Sequence, residues 1–236
     1  MLKIALTAGH YLGTAGKRCL KSLDPNETRE WVLNNRIADK IEALLGDYDG
    51  YALLRTDDTT GKTDIGITTR TNAANNFGAD IYVSIHHNAG INGGKGGGIV
   101  AYTYTNVDDE TRQWQKELYE ALIAETGLKG NRATPLATAN LAECRRTTMP
   151  AVLLELGFMD SATDLPIILS EGYADACARA IVKVLVCRGG LTKKERKLYR
   201  VQVGAYAEKS NAEQMAKRLK AAGFEAFIAE ERVTDE

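Results

Sequence analysis

The sequence predicts an α/β fold, a mostly parallel twisted sheet flanked by helices, with a small βαβ module at its C-terminal end. In the first 187 residues, short apolar runs rich in β-strand formers alternate with longer segments of helical period. A stretch rich in glycine and charged residues then interrupts this alternation. One further strand–helix–strand pattern follows the interruption. These three observations predict one main domain and one appendage.

Composition agrees with this organisation and excludes two classes of partner. The chain has 236 residues, 44% of them hydrophobic, enough to bury one substantial core. Lys and Arg number 30 against 31 Asp and Glu, so there is no basic field to attract nucleic acid. No apolar run approaches the roughly 20 residues that span a bilayer. We therefore expect neither a nucleic-acid partner nor a membrane span.

The first half of the main domain contains three predicted strands and two predicted helices. Apolar spacing and β propensity place the strands at Leu2 to Thr7, Tyr51 to Arg55 and Ile81 to Ile85. Helical spacing places one helix from Trp31 to Leu45 and another around Ile67 to Phe77. The third strand runs directly into a polar His-His-Asn sequence.

The second half begins with a loop and closes with a helix. The six glycines from Gly90 to Gly98 predict a mobile loop before a strand from Ile99 to Tyr104. A long helix is predicted from Asp109 to Thr126. An apolar strand from Ala151 ends in the acidic Glu155, and a final helix covers Tyr173 to Val186. An acidic residue at the end of so apolar a strand indicates a functional role.

The domain boundaries follow from these patterns. Residues 1–187 form the predicted catalytic domain, 188–197 the linker and 198–236 the small module. The module is predicted as a strand, a helix and a strand, at Leu198 to Ala205, Asn211 to Ala222 and Phe224 to Ala229. About 40 residues are few for an independent core. The module must therefore pair with another copy, dock on the main domain or be part of something longer.

Four polar residues stand where predicted elements begin or end. His10 follows the first strand, His86 follows the third, Glu155 ends a later strand and Glu30 begins the first helix. The carboxyl ends of parallel strands open onto one crevice, so distant residues can meet there. Two imidazoles and one carboxylate, with a position left for water, are a known ligand set for catalytic zinc.

Each of these residues also has a structural explanation. A lone histidine at a strand end is more often a hydrogen-bonded structural residue. His86 and His87 point to opposite faces of a strand, so periodicity alone does not choose between them. Glu27 and Glu30 lie at the start of a helix, where an acidic side chain interacts favourably with the helix dipole whatever its function. Glu155 is different, because an ionised group in an apolar strand costs several kcal/mol unless something pairs with it.

Together these motifs resemble the amidase-3 family of N-acetylmuramoyl-L-alanine amidases, found in bacterial wall-remodelling enzymes and phage endolysins. The first two matching motifs are Ala8-Gly9-His10 and Glu30 with Asn34, Ile37 and Ala38. The third is Ser84-Ile85-His86-His87-Asn88-Ala89, preceded by the run Arg70, Ala74 and Asn75, and the fourth is Pro150-Ala151-Val152-Leu153-Leu154-Glu155-Leu156-Gly157-Phe158. The opening departs from the family, since Thr7-Ala8 replaces the usual Asp-Pro. Four motifs in the family's order make the resemblance specific.

The resemblance implies an activity and a role for each candidate residue. It implies Zn²⁺ held by His10, Glu30 and His86, and Glu155 as the general base. The implied reaction is hydrolysis of the amide bond between N-acetylmuramic acid and L-alanine in peptidoglycan. Two rivals remain, a non-catalytic peptidoglycan-binding protein and a metal-independent wall glycosidase that uses two carboxylates. A zinc peptidase that cuts within the stem peptide is disfavoured by the resemblance alone.

The C-terminal segment has its own resemblance. Its sequences Tyr199-Arg200-Val201-Gln202-Val203-Gly204-Ala205-Tyr206, Asn211-Ala212-Glu213 and Leu219-Lys220-Ala221-Ala222-Gly223-Phe224 resemble the first half of a SPOR domain, a module that binds peptidoglycan glycan strands. A homodimer that exchanges βαβ halves would complete this fold.

The N-terminal sequence bears on the expected location. Met1 to Ala8 is too short for the apolar part of a secretory signal, so no signal peptide is expected. We therefore expect synthesis in the cytoplasm and later release to the wall. A phage endolysin is favoured over a sporulation-type autolysin.

Overall fold

The computed structural model describes residues 1–195 and 201–230. The chain divides into two compact units, Met1–Lys194 and Glu195–Glu236. Within the described residues, no helix combines the length and the apolar character needed to cross a membrane.

The first unit is built on a six-stranded sheet. The strands of the unit are β1 (Leu2–Ala8), β2 (Tyr48–Asp49), β3 (Tyr51–Arg55), β4 (Ile81–Asn88), β5 (Ile99–Thr103), β6 (Leu136–Thr138), β7 (Ala151–Phe158) and β8 (Thr192–Lys193). The sheet order is β3-β1-β4-β7-β5-β6, and β2 pairs separately with β8. Neighbouring strands are parallel except β5 and β7. The sheet is therefore mostly parallel, as predicted.

Helices cover both faces of the sheet. They are α1 (Glu30–Leu45), α2 (Ile67–Phe77), α3 (Asp109–Thr126), α4 (Ala142–Arg146), α5 (Leu165–Ile168) and α6 (Glu171–Gly189), with α7 (Lys209–Ala221) in the second unit. The larger core joins α1, α3 and α6 to one face. The smaller core joins α2 and α4 to the other.

Strand alternation explains the two cores and positions the later site. On β4, Val83 and Ile85 belong to the larger core, whereas Tyr82 belongs to the smaller one. Successive side chains point to opposite faces. Ser84 and His86 therefore share the face of Tyr82, towards α4.

Several element boundaries differ from the predicted ones. The strand predicted to end at Glu155 continues to Phe158, because Leu156 pairs with Ile99 of β5 and Phe158 with Asn88 of β4. The short elements β2, β6, α4, α5 and β8 were not predicted, since two to five residues carry little periodicity. The predicted linker contains the last turn of α6 and strand β8.

The C-terminal module is present with less regular structure than predicted. The predicted helix is found as α7, capped near Gly223. Residues 201–205 and 224–229 are not in strands, so the predicted strands are wrong in the part that the structure describes; residues 198–200 lie outside it. The backbone N–H and C=O groups of a strand need a neighbouring strand as hydrogen-bond partner, and a single βαβ unit supplies few such partners. Phe224 and Phe227 are correspondingly exposed.

Candidate metal centre

Three candidate ligands converge at the carboxyl ends of β1 and β4. His10, Glu30 and His86 each offer one ligand atom, and these atoms lie within 4.8 Å of one another. His10 Nε2 is 3.3 Å from Glu30 Oε2, and His86 Nδ1 is 3.0 Å from Glu30 Oε1. The two imidazole rings are 5.0 Å apart and nearly perpendicular. The carboxylate thus lies between the two imidazoles.

His10 depends on an unusual backbone conformation. Its φ is +66°, a left-handed value that non-glycine residues seldom adopt. The buried Arg70 guanidinium stabilises this turn by donating to the carbonyls of Ala8 at 2.9 Å and His10 at 2.8 Å, and to Thr7 Oγ1 at 3.1 Å. Arg70 therefore supports His10 although Thr7-Ala8 replaces the family's Asp-Pro.

Glu30, and not Glu27, belongs to the cluster. Glu27 instead pairs with Arg18 at 3.2 Å. Glu30 is completely buried at the first turn of α1, and Lys17 Nζ is 3.6 Å from its Oε2. Burial alone would raise the pKa of Glu30, but the hydrogen bond and charge of His86, with His10 and Lys17, lower it to about 2. Glu30 is therefore ionised at neutral pH.

The adjacent histidines point in opposite directions. His86 faces Glu30, whereas His87 Nδ1 is 2.8 Å from Asn34 Oδ1 on α1. Asn34 also donates to the Gly9 carbonyl at 3.1 Å. Burial lowers the pKa of His87 to about 3, so that ring stays neutral. The structure therefore brings His86 into the cluster and gives His87 a structural hydrogen bond.

The cluster is suited to a divalent cation. His10 Nε2 and Glu30 Oε2 are buried and have no hydrogen-bond partner in the described part of the chain, and His86 Nδ1 lies 3.0 Å from the other oxygen of Glu30. Burial lowers the pKa of His10 to about 4, although Glu30 opposes this. Burial also disfavours a charged His86, but Glu143 and Glu30 outweigh it and raise the pKa of His86 to about 10, so a bound metal would displace a proton from this ring. Buried anionic oxygens beside imidazole nitrogens are the donors that zinc prefers.

Glu155 lies directly opposite His86 on the neighbouring strand. The two residues are Cα partners in the parallel β4–β7 ladder, so their side chains share one face. The buried Oε2 of Glu155 has no hydrogen-bond partner among the described residues. Burial raises the pKa of Glu155 to about 7, with Glu30 adding to the effect and His86 opposing it. A carboxylate with such a pKa can exchange protons at neutral pH.

Two charged residues at the site were not predicted from the sequence. Lys17 comes from the loop before α1, where no periodicity marks it. Glu143 comes from α4, and its Oε2 lies 2.5 Å from Ser84 Oγ and 3.8 Å from His86 Nε2. In the sequence, Glu143 is only an acidic residue two positions after the apolar Leu141, and this pattern does not assign it to a site.

The open α/β sheet and its His-Glu-His cluster beside a buried carboxylate define a hydrolase with a candidate metal site. The family model Amidase_3, N-acetylmuramoyl-L-alanine amidase, matches residues 4–186. A model of the SPOR domain matches residues 191–235. The chain belongs to the Amidase_3 family of N-acetylmuramoyl-L-alanine amidases.

Relatives match over nearly the whole chain. N-acetylmuramoyl-L-alanine amidase CwlM of Bacillus licheniformis is 32% identical over 230 residues, covering 97% of this chain and 85% of that protein. The sporulation-specific N-acetylmuramoyl-L-alanine amidase of Bacillus subtilis (strain 168) is 32% identical over 235 residues, covering 97% and 84%. The endolysin of Bacillus phage SPP1 is 32% identical over 136 residues, covering 54% and 50%.

Solved structures agree with the fold. The crystal structure of an N-acetylmuramoyl-L-alanine amidase from Clostridium difficile 630 has a TM-score of 0.70 and 25% identity. It matches 79% of this chain and 95% of its own.

Proposed function

We propose that this protein is a zinc-dependent N-acetylmuramoyl-L-alanine amidase that cleaves the bond between N-acetylmuramic acid and L-alanine in peptidoglycan. The observation that carries the proposal is the convergence of His10, Glu30 and His86 beside the buried Glu155. Membership of the amidase family supports the substrate class. His10, Glu30 and His86 would hold the zinc, and Glu155 would be the catalytic base.

The reaction follows from the positions of these groups. When bound, zinc would supply a Lewis acid that polarises the amide carbonyl and makes water more acidic. Glu155 takes a proton from the attacking water, whose oxygen bonds to the carbonyl carbon. Glu155 then passes this proton to the alanine nitrogen as the carbon–nitrogen bond breaks. The products are a lactyl carboxylate and a peptide with a free L-alanine amino terminus.

Charge at the site favours this sequence of proton transfers. Lys17 Nζ lies 3.6 Å from Glu30 and is close to half exposed, so it adds positive charge at the rim of the site. Positive charge stabilises the oxyanion that forms on the carbonyl oxygen. Burial of its Oε2 atom raises the pKa of Glu155, which makes it a stronger base than an exposed glutamate.

The decisive experiment separates metal binding from turnover. Glu155→Gln should bind one zinc per chain yet release no L-alanine amino termini from purified walls. His10→Ala should lose both zinc and activity, because one ligand is gone. Zinc is measured by atomic absorption and the new amino termini by mass spectrometry. Full turnover by Glu155→Gln would refute the role of Glu155.

The two rivals predict different results in the same assays. A wall glycosidase would release reducing sugar ends and would keep its activity in a chelator. A non-catalytic peptidoglycan-binding protein would bind walls and release nothing. Chelator-sensitive release of L-alanine amino termini, restored by added zinc, would exclude both.

We further propose that the C-terminal unit binds peptidoglycan glycan strands. Its match to the SPOR model supports this, as do the exposed Val203, Phe224 and Phe227, which offer apolar surface to a ligand or a second copy. The full chain should bind purified sacculi more tightly than a chain ending at Lys194. Light scattering of the same two proteins tests the proposed homodimer, which requires the full chain to have twice its monomer mass.

We also propose that the protein is made in the cytoplasm and reaches the wall when cells lyse. The two relatives that match 97% of the chain are bacterial, whereas the phage endolysin matches 54%. This supports a sporulation-type autolysin over the endolysin favoured by the sequence. Immunoblots should find the protein inside intact cells and in the medium only after lysis; early appearance in the medium would contradict the proposal.

A further inference from the structure

Glu143 is a second buried carboxylate beside the candidate metal centre. It lies on the short helix α4 and is only 5% exposed. Its Oε2 accepts a hydrogen bond from Ser84 Oγ at 2.5 Å and lies 3.8 Å from His86 Nε2. Ser84 and His86 are two residues apart on β4, so both face α4.

The His86 ring therefore lies between two carboxylates. Its Nδ1 is 3.0 Å from Glu30 Oε1, whereas its Nε2 points towards Glu143. His86 Nε2 is buried and has no hydrogen-bond partner among the residues that the structure describes. Glu143 Oε2, at 3.8 Å, is thus the group placed to receive its proton.

We propose that Glu143 is a positioning residue that accepts the Nε2 proton of His86 and so holds Nδ1 available for the metal. This inference rests on the proposed zinc site. A neutral imidazole carries one proton, so a ring that gives one nitrogen to a metal donates from the other. Such donation to a carboxylate fixes the tautomer and the orientation of the ring.

The distances allow this role with a small movement. A separation of 3.8 Å is longer than a hydrogen bond, and an approach of about 1 Å would form one. Ser84 Oγ donates to the same oxygen, Oε2, and so holds that oxygen near the ring. The alternative is that Glu143 is a buried group satisfied by Ser84 alone, in which case its loss would reduce stability and leave metal affinity unchanged.

The zinc affinity of the full-length protein distinguishes a positioning role of Glu143 from a purely structural one. The dissociation constant is measured by competition with a chromophoric chelator for the wild type, Glu143→Gln and Glu143→Leu. We expect about 10-fold weaker binding for Glu143→Gln, which keeps a weaker acceptor, and about 100-fold for Glu143→Leu. Asp57→Asn removes the charge of a buried carboxylate that pairs with Arg55 outside the cluster and is the matched control, with unchanged affinity.

A spectroscopic measurement tests the geometry directly. In the cobalt-substituted protein, the visible absorption bands report the field at the metal, and Glu143→Gln should shift them. Ser84→Ala keeps the carboxylate but removes one hydrogen bond to its Oε2, so it should weaken zinc binding less than Glu143→Leu does. Circular dichroism tests whether each variant is folded. If Glu143→Leu does not fold, Glu143→Gln decides the outcome, because glutamine is nearly the same size as glutamate.

The outcomes separate this inference from the proposed function. Wild-type zinc affinity and an unchanged cobalt spectrum in Glu143→Gln would overturn the role of Glu143 alone. Failure of the wild type to bind zinc would overturn both the zinc site and the role of Glu143.

Discussion

The ring of His86 packs directly against the backbone of Gly9. A Cβ added at Gly9 would lie 2.1 Å from His86 Cε1 and 2.5 Å from Nδ1. No carbon can approach a ring so closely, so the glycine leaves the space that the ring occupies. The Gly-His pair at the start of the chain thus serves both imidazoles of the site.

Gly9→Ala should therefore displace the His86 ring and weaken zinc binding at least about tenfold, as expected when a metal ligand is misplaced. The backbone of Gly9 does not have a positive φ, so the effect comes from the methyl group. Isothermal titration measures the affinity. Gly172→Ala is the control, because no atom lies within 4 Å of its added Cβ. Equal affinities for the two variants would contradict the packing argument.

Glu155→Gln should stabilise the metal-free protein at neutral and alkaline pH. Glutamate has an ordinary pKa of 4.5, and burial raises that of Glu155 to about 7. Between these values the folded state retains a proton that the unfolded chain releases, so the ionisable group increasingly disfavours folding. The full penalty, reached above pH 7, is about 3 kcal/mol.

Thermal unfolding in a chelator at several pH values measures this effect. The difference in Tm between Glu155→Gln and the wild type should be small near pH 4 and grow towards about pH 8. A constant difference across this range would show that Glu155 titrates as an ordinary glutamate.

Arg70→Lys should loosen the turn that carries His10. Lysine cannot reproduce the fork that contacts Thr7, Ala8 and His10 together. We expect a loss of about 2 kcal/mol in unfolding free energy, because buried carbonyls lose their donors, together with weaker zinc binding. Urea denaturation and metal titration measure the two effects. Arg112→Lys, at an exposed position, should change neither.

Asp160→Ala should release the glycine-rich loop before β5. Asp160 Oδ2 accepts three backbone N–H groups, from Gly90, Ile91 and Asn92, at 2.7 to 2.8 Å. The first part of the loop predicted to be mobile is therefore anchored by one carboxylate after β7, whereas Gly96 and Gly98 donate to Thr163 and Asp164. Faster amide hydrogen exchange in residues 90–98 would support this anchoring, with Asp64→Ala as an exposed control. Unchanged exchange at residues 90–92 would show that the other hydrogen bonds of the loop, to Asn131, Thr163 and Asp164, hold it without Asp160.

Long elements were predictable from the sequence, and short or unpartnered ones were not. Helices α1, α2 and α3 lie within one residue of their predicted positions. Helices α1 and α3 each present an apolar stripe over at least three turns, whereas the buried residues of α2 are Arg70, Thr71 and Ala74. Helix α4 has five residues and no such stripe, so Glu143 could not be assigned to an element. The strands predicted around α7 have the right alternation, but alternation does not supply a neighbouring strand.

The candidate ligands were identifiable because His10, Glu30 and His86 stand at ends of elements within recognisable motifs. Their convergence at one edge follows from the parallel arrangement that the alternating pattern implies. The direction of each ring, the support from Arg70 and the approach of Glu143 to His86 were decided only by tertiary packing. The contacts of Arg70 join residues 60 to 63 positions apart, and Glu143 lies 59 positions from its partner Ser84, whereas local sequence preferences act over a few residues.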